Sequence, residues 1–398
     1  MIRRFASWLV IFMLVLPVSG APAEDTGVAL TVRRGTVIGD PGALAERDQD
    51  PGDDDPAAYV RLDPEGGRFL ARIEVFGIPG GSVEVFWARR AALWRDGPFR
   101  VQVRSVATGT WSTLLTSKDV LPGRWMLRSA RIDPAEHVTS RDSVVLRIVG
   151  SGIPLDVDAI GVRPSPPWWR PGPGTTWQWQ LVGRIDDSYD VAMYDVDLFE
   201  VPRRVIGDLQ AGGRAVVCYF SAGAWEDWRP DAGAFPEDVL GAENGWPGER
   251  WLDVRRLDVL GPIMESRLDR AVRKGCDGVE PDNVDGFTNE TGFPLTAADQ
   301  EAFNRWLAAE AHARGLSVGL KNDLEQVEAL VDDFDWALDE QCFEYEECEM
   351  LLPFIDDGKA VFGVEYALAA PSFCPEARAM GLSWLRKHEA LGPWVNPC

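Results

Sequence analysis

The sequence has little histidine, a shortage of basic charge and no cysteine in its first half, and each absence closes a class of function. The three histidines, His137, His312 and His388, are too scattered to build a metal centre or to serve a Ser-His nucleophile pair. Lys and Arg number 40 against 63 Asp and Glu, and the formal net charge of −23 argues against nucleic acid, whose phosphates need a basic face. A cationic partner suits this balance better. No glycine-rich phosphate fingerprint follows the first strand of the second half, which disfavours an open dinucleotide-binding sheet. Beyond the N-terminus no apolar run is long enough to cross a bilayer.

All six cysteines, Cys218, Cys276, Cys342, Cys348, Cys374 and Cys398, lie in the second half. Their number is even and no paired CxxC spacing occurs, so disulfides are expected rather than zinc. Fifteen pairings are possible. Pairing each with its next neighbour in sequence gives Cys218 with Cys276, Cys342 with Cys348 and Cys374 with Cys398. Residues 1–23 read as a secretory signal peptide: Arg3 and Arg4, an apolar run from Trp8 to Val18, then Ala21 and Ala23. A secreted, extracellular or periplasmic protein is therefore expected, one without a membrane span after cleavage, in a compartment where disulfides persist.

The density of proline and glycine over 164–174 marks a linker, since such a segment continues neither a helix nor a central strand. It separates an accessory domain, 24–163, from a second domain, 175–398. The Asp-rich run Asp48–Asp55 inside the first reads as a solvated loop. Period-two alternation in Phe69–Val75, Ser82–Trp87, Phe99–Val103 and Val144–Val149 predicts half-buried antiparallel strands, hence a β-sandwich. The run Leu155–Val162 resembles the last strand of galactose-binding-like jelly rolls.

The second domain alternates short apolar strands with helix-length amphipathic segments, the pattern of an α/β fold with a parallel sheet. Strands are predicted at Trp177–Leu181, Val191–Asp195, Ala215–Phe220, Gly278–Pro281, Ser317–Lys321, Trp336–Glu340, Ala360–Glu365 and Leu382–Arg386. A helix is predicted from the Thr296 cap, with Gln300 nearby, to Arg314. Eight strands in this length predict a (β/α)8 TIM barrel preceded by the jelly-roll-like sandwich.

In such a barrel the carboxyl ends of the strands pool their polar residues in one mouth. The pool is acidic: Asp195 and Asp197 after strand two, Glu280, Asp282 and Asp285 after strand four, Asp339 and Glu340 at strand six, Glu365 at strand seven. Tyr219 and Ser221 follow strand three, and Lys321, Asn322 and Asp323 follow strand five. Paired carboxylates without a histidine base are the machinery of glycoside hydrolysis. Mouth-side aromatics, among them Trp177, Trp179, Tyr219, Trp225, Trp228, Trp246, Trp251, Phe343 and Tyr366, suit sugar rings, though about half are expected in the core. A calcium loop on Asp282, Asn283 and Asp285 lacks the twelve-residue pattern and its closing Glu, so no metal or cofactor is expected.

The ordered series Trp177-Gln178-Trp179-Gln180-Leu181, Tyr194-Asp195-Val196-Asp197-Leu198-Phe199, Val217-Cys218-Tyr219-Phe220-Ser221-Ala222-Gly223, Gly275 to Asp285, Gly319-Leu320-Lys321-Asn322 and Glu340-Gln341-Cys342 resembles glycoside hydrolase family 114, the endo-α-1,4-polygalactosaminidases. The resemblance implies a barrel and cleavage of α-1,4-linked galactosamine polymers, cationic where deacetylated. It also implies Asp282 and Glu340 as the catalytic pair. Substrate contacts are expected from Trp177, Asp195, Asp197, Tyr219, Glu280, Asn283, Asp285, Lys321, Asn322, Glu365 and Tyr366. A monomeric enzyme acting on a polysaccharide is the leading expectation. A barrel that only binds polysaccharide, or a glycosidase on another hexosamine or galactose polymer, stays open.

Overall fold

The structure is a computed structural model that describes residues 27–34, 36–38, 44, 59–64, 68–76, 78, 83–91, 99–116, 126–151, 154–164 and 168–398. The signal-peptide segment, the Asp48–Asp55 run and residues 165–167 near the start of the linker lie outside the described residues. The chain divides into two compact units between Ser165 and Pro166.

The first unit contains two five-stranded sheets. One orders Gly27–Arg34, Arg68–Phe76, Ser143–Ser151, Phe99–Arg104 and Trp111–Thr116; the other orders Thr36–Ile38, Val60–Asp63, Leu155–Pro164, Val83–Ala91 and Met126–Ile132. The pairings are antiparallel. Alternation is visible in Arg68–Phe76, where Phe69, Ala71, Ile73 and Val75 are buried and the residues between them are not. Those side chains join Val83, Val85, Leu155 and Val157 of the other sheet in one apolar cluster, the expected result when each strand turns one face inward.

The second unit is mixed α/β, built on a nine-stranded sheet. Eight strands run parallel in chain order: Trp177–Gln180, Met193–Asp197, Ala215–Ser221, Gly278–Asp282, Ser317–Lys321, Trp336–Glu340, Ala360–Glu365 and Ser383–Arg386. The ninth, Asn396–Pro397, pairs antiparallel with the eighth. Helices such as Arg203–Ala211, Leu257–Lys274, Ala297–Ala313 and Ala370–Met380 connect successive strands. Helix Ala297–Ala313 starts at Thr296, whose side chain accepts from Asp299 N–H while Asp299 accepts from Thr296 N–H, so the reciprocal cap is completed by Asp299 rather than Gln300.

The second strand begins two residues later than its sequence pattern predicts. Ala192 and Met193 N–H both donate to Thr176 O at 3.1 Å, which sets the register at Met193 opposite Trp177. Asp195 and Asp197 consequently lie inside the strand, not beyond it. The cysteines form the three nearest-neighbour pairs, Cys218–Cys276, Cys342–Cys348 and Cys374–Cys398. Among the described residues no helix is long and apolar enough to cross a membrane.

Candidate active site

Lys321 closes the fifth strand, and its ammonium is the hub of the site. Its side chain is only 2% exposed, and Nζ lies 2.8 Å from Asp282 Oδ1, 3.1 Å from Glu340 Oε2 and 3.4 Å from Glu280 Oε1. The Trp179 ring lies beneath it, 5.1 Å from Nζ to the centroid. Burial opposes the charge, but Asp282, Glu340 and Glu280 outweigh it and hold the ammonium well above its ordinary value. Lys321 is therefore a fixed cation joining the ends of strands four and six.

Three further donors set the two partly open carboxylates. Asp282 Oδ2 accepts from Tyr219 Oη at 2.9 Å and Oδ1 from Asn283 N–H at 2.8 Å. Glu340 Oε1 accepts from Tyr366 Oη. Burial first, and then the charges of Asp282 and Glu340 respectively, raise both tyrosines well above the usual phenol range, so each stays a neutral O–H donor. Because one Nζ touches both carboxylates, Asp282 Oδ1 and Glu340 Oε2 stand no more than about 6 Å apart.

Beneath this pair sits a second one. Asp195 and Glu280 are fully buried, both 0% exposed. Each carboxyl perturbs the other's titration. Burial is the main cause that pushes Asp195 up to about 7, with the Glu280 hydrogen bond and Lys321 opposing. Burial, then the Asp195 charge, raises Glu280 well above the carboxylate range, and its Oε2 accepts from Trp179 Nε1 at 3.0 Å. Half-buried Asp285 is pushed up to about 6, by burial and then by Asp282.

The backbone is strained where the strands end. Asn283, Asn322, Asp323 and Gln341 adopt φ of 60°, 49°, 50° and 69°, a left-handed conformation that only Asn and Asp among these adopt at modest cost. Asn283 Nδ2 donates to Ser221 Oγ at 2.9 Å, and Asn322 Oδ1 accepts from Glu340 N–H at 3.1 Å. The two amides thus hold the turns that present Asp282 and Glu340. Gly223 is required beside them, since a Cβ there would fall 1.7 Å from Asn283 O.

The structure gathers Tyr219, Glu280, Asp282, Asn283, Asp285, Lys321, Asn322, Glu340, Tyr366 and Asp195 around one point. Three expected members lie elsewhere. Trp177 is interior, 2% exposed against Trp179 and Phe362, with Nε1 donating to Ser383 O. Asp197 pairs with Arg229 at 2.8 Å and accepts from Phe199 and Glu200 N–H. Glu365 accepts from Phe343 N–H and Trp384 Nε1. Glu249 was not foreseen: burial, then the Glu226 and Asp282 charges, push it up to about 7 against the Asn244 bond, which places its carboxyl within electrostatic reach of Asp282. No sequence spacing ties it to Asp282.

Among solved structures, Ega3 of Aspergillus fumigatus, in complex with galactosamine, is 41% identical over 58% of this chain and 97% of that chain, with a TM-score of 0.56. The glycoside hydrolase domain of PelA from Pseudomonas aeruginosa aligns at 15% identity over 56% of this chain and 97% of its own, with a TM-score of 0.46. An uncharacterized protein of Deinococcus radiodurans is 32% identical over 111 residues, 26% of this chain, and the chain covers 35% of that relative's length. The sequence profile of glycoside-hydrolase family GH114 matches residues 161–398, and the chain belongs to that family.

Proposed function

We propose that the protein is an exported endo-glycosidase that cleaves α-1,4-linked galactosamine-rich polysaccharide with Asp282 and Glu340. The observation that carries this is the Lys321 bridge, which holds two partly open carboxylates beside each other, an arrangement that supports a double-displacement reading. Asp282, with Lys321, Tyr219 and the Asn283 N–H on its oxygens, is the nucleophile. Glu340 is the more exposed of the two side chains, at 26% against 17%, and is the proton donor.

In the first step Glu340 gives its proton to the glycosidic oxygen while Asp282 attacks the anomeric carbon; the C–O bond breaks and a glycosyl ester forms on Asp282. In the second step Glu340, now a carboxylate, takes a proton from water, which displaces Asp282 and returns the sugar with its original configuration. The acidic surroundings, Asp285 and Glu249 included, match a polymer that carries free amines. Ega3, 41% identical, is described with galactosamine bound, which supports the same sugar here.

The eight parallel strands are read as a (β/α)8 barrel. Trp177 on the first strand packs with Leu385 on the eighth in one cluster and donates to Ser383 O, and Leu181 N–H donates to Leu391 O. The two sheets of the first unit are read as a jelly-roll-like sandwich around their shared cluster, an accessory domain over 24–163. Three disulfides support export, the protein acting as a monomer on an extracellular or periplasmic polymer.

A polysaccharide panel tests the substrate: galactosamine polymer at graded acetylation, a glucosamine polymer and a galactan, with products weighed by mass spectrometry. Oligomers of galactosamine are expected. Release from another polymer, with the galactosamine polymer untouched, would overturn the assignment.

A further inference from the structure

Between the third strand and helix Leu257–Lys274 the chain forms a small antiparallel sheet of Ala224–Glu226, Glu249–Leu252 and Leu240–Glu243. Its root is fixed to the active site. Ala222 and Gly223 N–H donate to Asp282 O at 2.8 and 3.1 Å, and Leu252 N–H donates to Gly223 O at 2.9 Å. Its outer end carries Trp228 and Trp246, which are 50% and 59% exposed. Indoles left half in water forgo a stabilising burial, so their display in one place calls for a ligand.

The display is rigid. Asn244 Oδ1 accepts from Trp246 N–H at 3.1 Å, and Asn244 Nδ2 donates to Glu249 Oε2 at 2.7 Å. Gly245 and Gly248 hold left-handed φ of 97° and 87° on either side of Trp246 and Pro247. A Cβ on Gly248 would fall 3.0 Å from the Trp228 ring, so that ring rests on the turn two residues from Trp246. Arg229, anchored by Glu226 and Asp197, lies 6.0 Å from the centroid of Trp228. Asp227, beside the Trp228 ring at Gly248, and Glu243, three residues before Trp246, are exposed, and the Glu249 carboxyl lies within electrostatic reach of Asp282.

We infer that Trp228 and Trp246 form an outer subsite that holds amino-sugar units of the polymer beyond the bond being cut. The occupant follows from continuity with Asp282 through the sheet and from the carboxylates around the rings. Sugar C–H faces pack on the indoles, and Asp227, Glu243 and Glu249 face the amines. The inference rests on the proposed galactosamine-polymer reading and extends it along the chain.

The experiment separates the two. Retention of Asp282→Asn protein in gels containing deacetylated galactosamine polymer reads binding without cleavage, and reducing-end release by the wild type reads cleavage. Trp228→Ala with Trp246→Ala in the Asp282→Asn background is expected to weaken retention about tenfold, while Trp246→Tyr keeps it, because each aromatic contact is worth up to about tenfold. In active protein the double variant should raise KM for polymer and leave short oligomers unaffected. Equal retention and equal KM across lengths would overturn the subsite even if cleavage is confirmed. Absent cleavage with retention lost in the double variant would overturn the hydrolytic reading and leave the subsite standing. Circular dichroism of the double variant, matched to that of the Asp282→Asn protein, guards against misfolding.

Discussion

Replacing Lys321 by Met removes the cation while keeping the length of the side chain. Three carboxylates lose their partner, two of them at 2.8 and 3.1 Å. Each contact is worth roughly 5 kcal/mol at an effective dielectric near 20 before desolvation, and breaking a buried pair by removing one member has a net effect of about 3 to 5 kcal/mol. Water reaches the side chains of Asp282 and Glu340, 17% and 26% exposed, so the lower end applies, about 3 kcal/mol at pH 8. The deficit depends on pH with a definite sign. Without Lys321 the clustered carboxyls hold protons in the folded state that the unfolded chain has already released above about pH 4, so the variant loses stability as pH rises and recovers it toward pH 5. Urea unfolding of both proteins at the two pH values measures this. Hydrolysis should also fall by roughly 10² to 10³, the effect of removing one preorganised electrostatic partner. A variant as stable as the wild type at pH 8, or a deficit that grows toward pH 5, would refute the reasoning.

Other consequences are open to measurement. Asp195 sits up at about 7, whereas an unfolded Asp titrates near about 3.9, so the native state binds the extra proton between them and stability falls as pH rises through that window. Asp195→Asn should flatten the melting temperature between pH 5 and 7.5; an unchanged slope would exclude a raised Asp195 titration. Breaking Cys218–Cys276, separated by 58 residues, should destabilise by about 4 kcal/mol, and breaking Cys342–Cys348, separated by 6, by about 2 kcal/mol in urea titrations. The reverse order would count against the chain-entropy account. Proton NMR of early products should show the α-anomer first, and a β-anomer would mean that water attacks directly.

The parallel strands were legible because each is a short apolar run bounded by turn residues, a signal that needs no knowledge of partners. Asp282 and Glu340 were legible as polar residues at strand ends. Asp195 and Asp197 were misplaced along their strand because charges are expected outside the core, and the groups that permit their burial come from distant parts of the chain. Arg229 pairs with Asp197, and Asp195 lies buried beside Glu280, whose interaction alters its titration. Trp177 and Trp179 alternate with glutamines and look equivalent in sequence, yet only Trp179 reaches the Lys321 end of its strand. The roles of Asn283 and Asn322 depended on backbone φ, which composition suggests but does not determine. Glu249 reaches the site through a sheet whose register no local pattern encodes.

The proposed hydrolysis rests on Asp282 and Glu340, bridged by Lys321. Reducing-end release from deacetylated galactosamine polymer, compared among the wild type, Asp282→Asn and Glu340→Gln, tests it most directly. Release by the wild type and a loss of at least about 10² in each folded variant are expected. Undiminished release by either variant would contradict it.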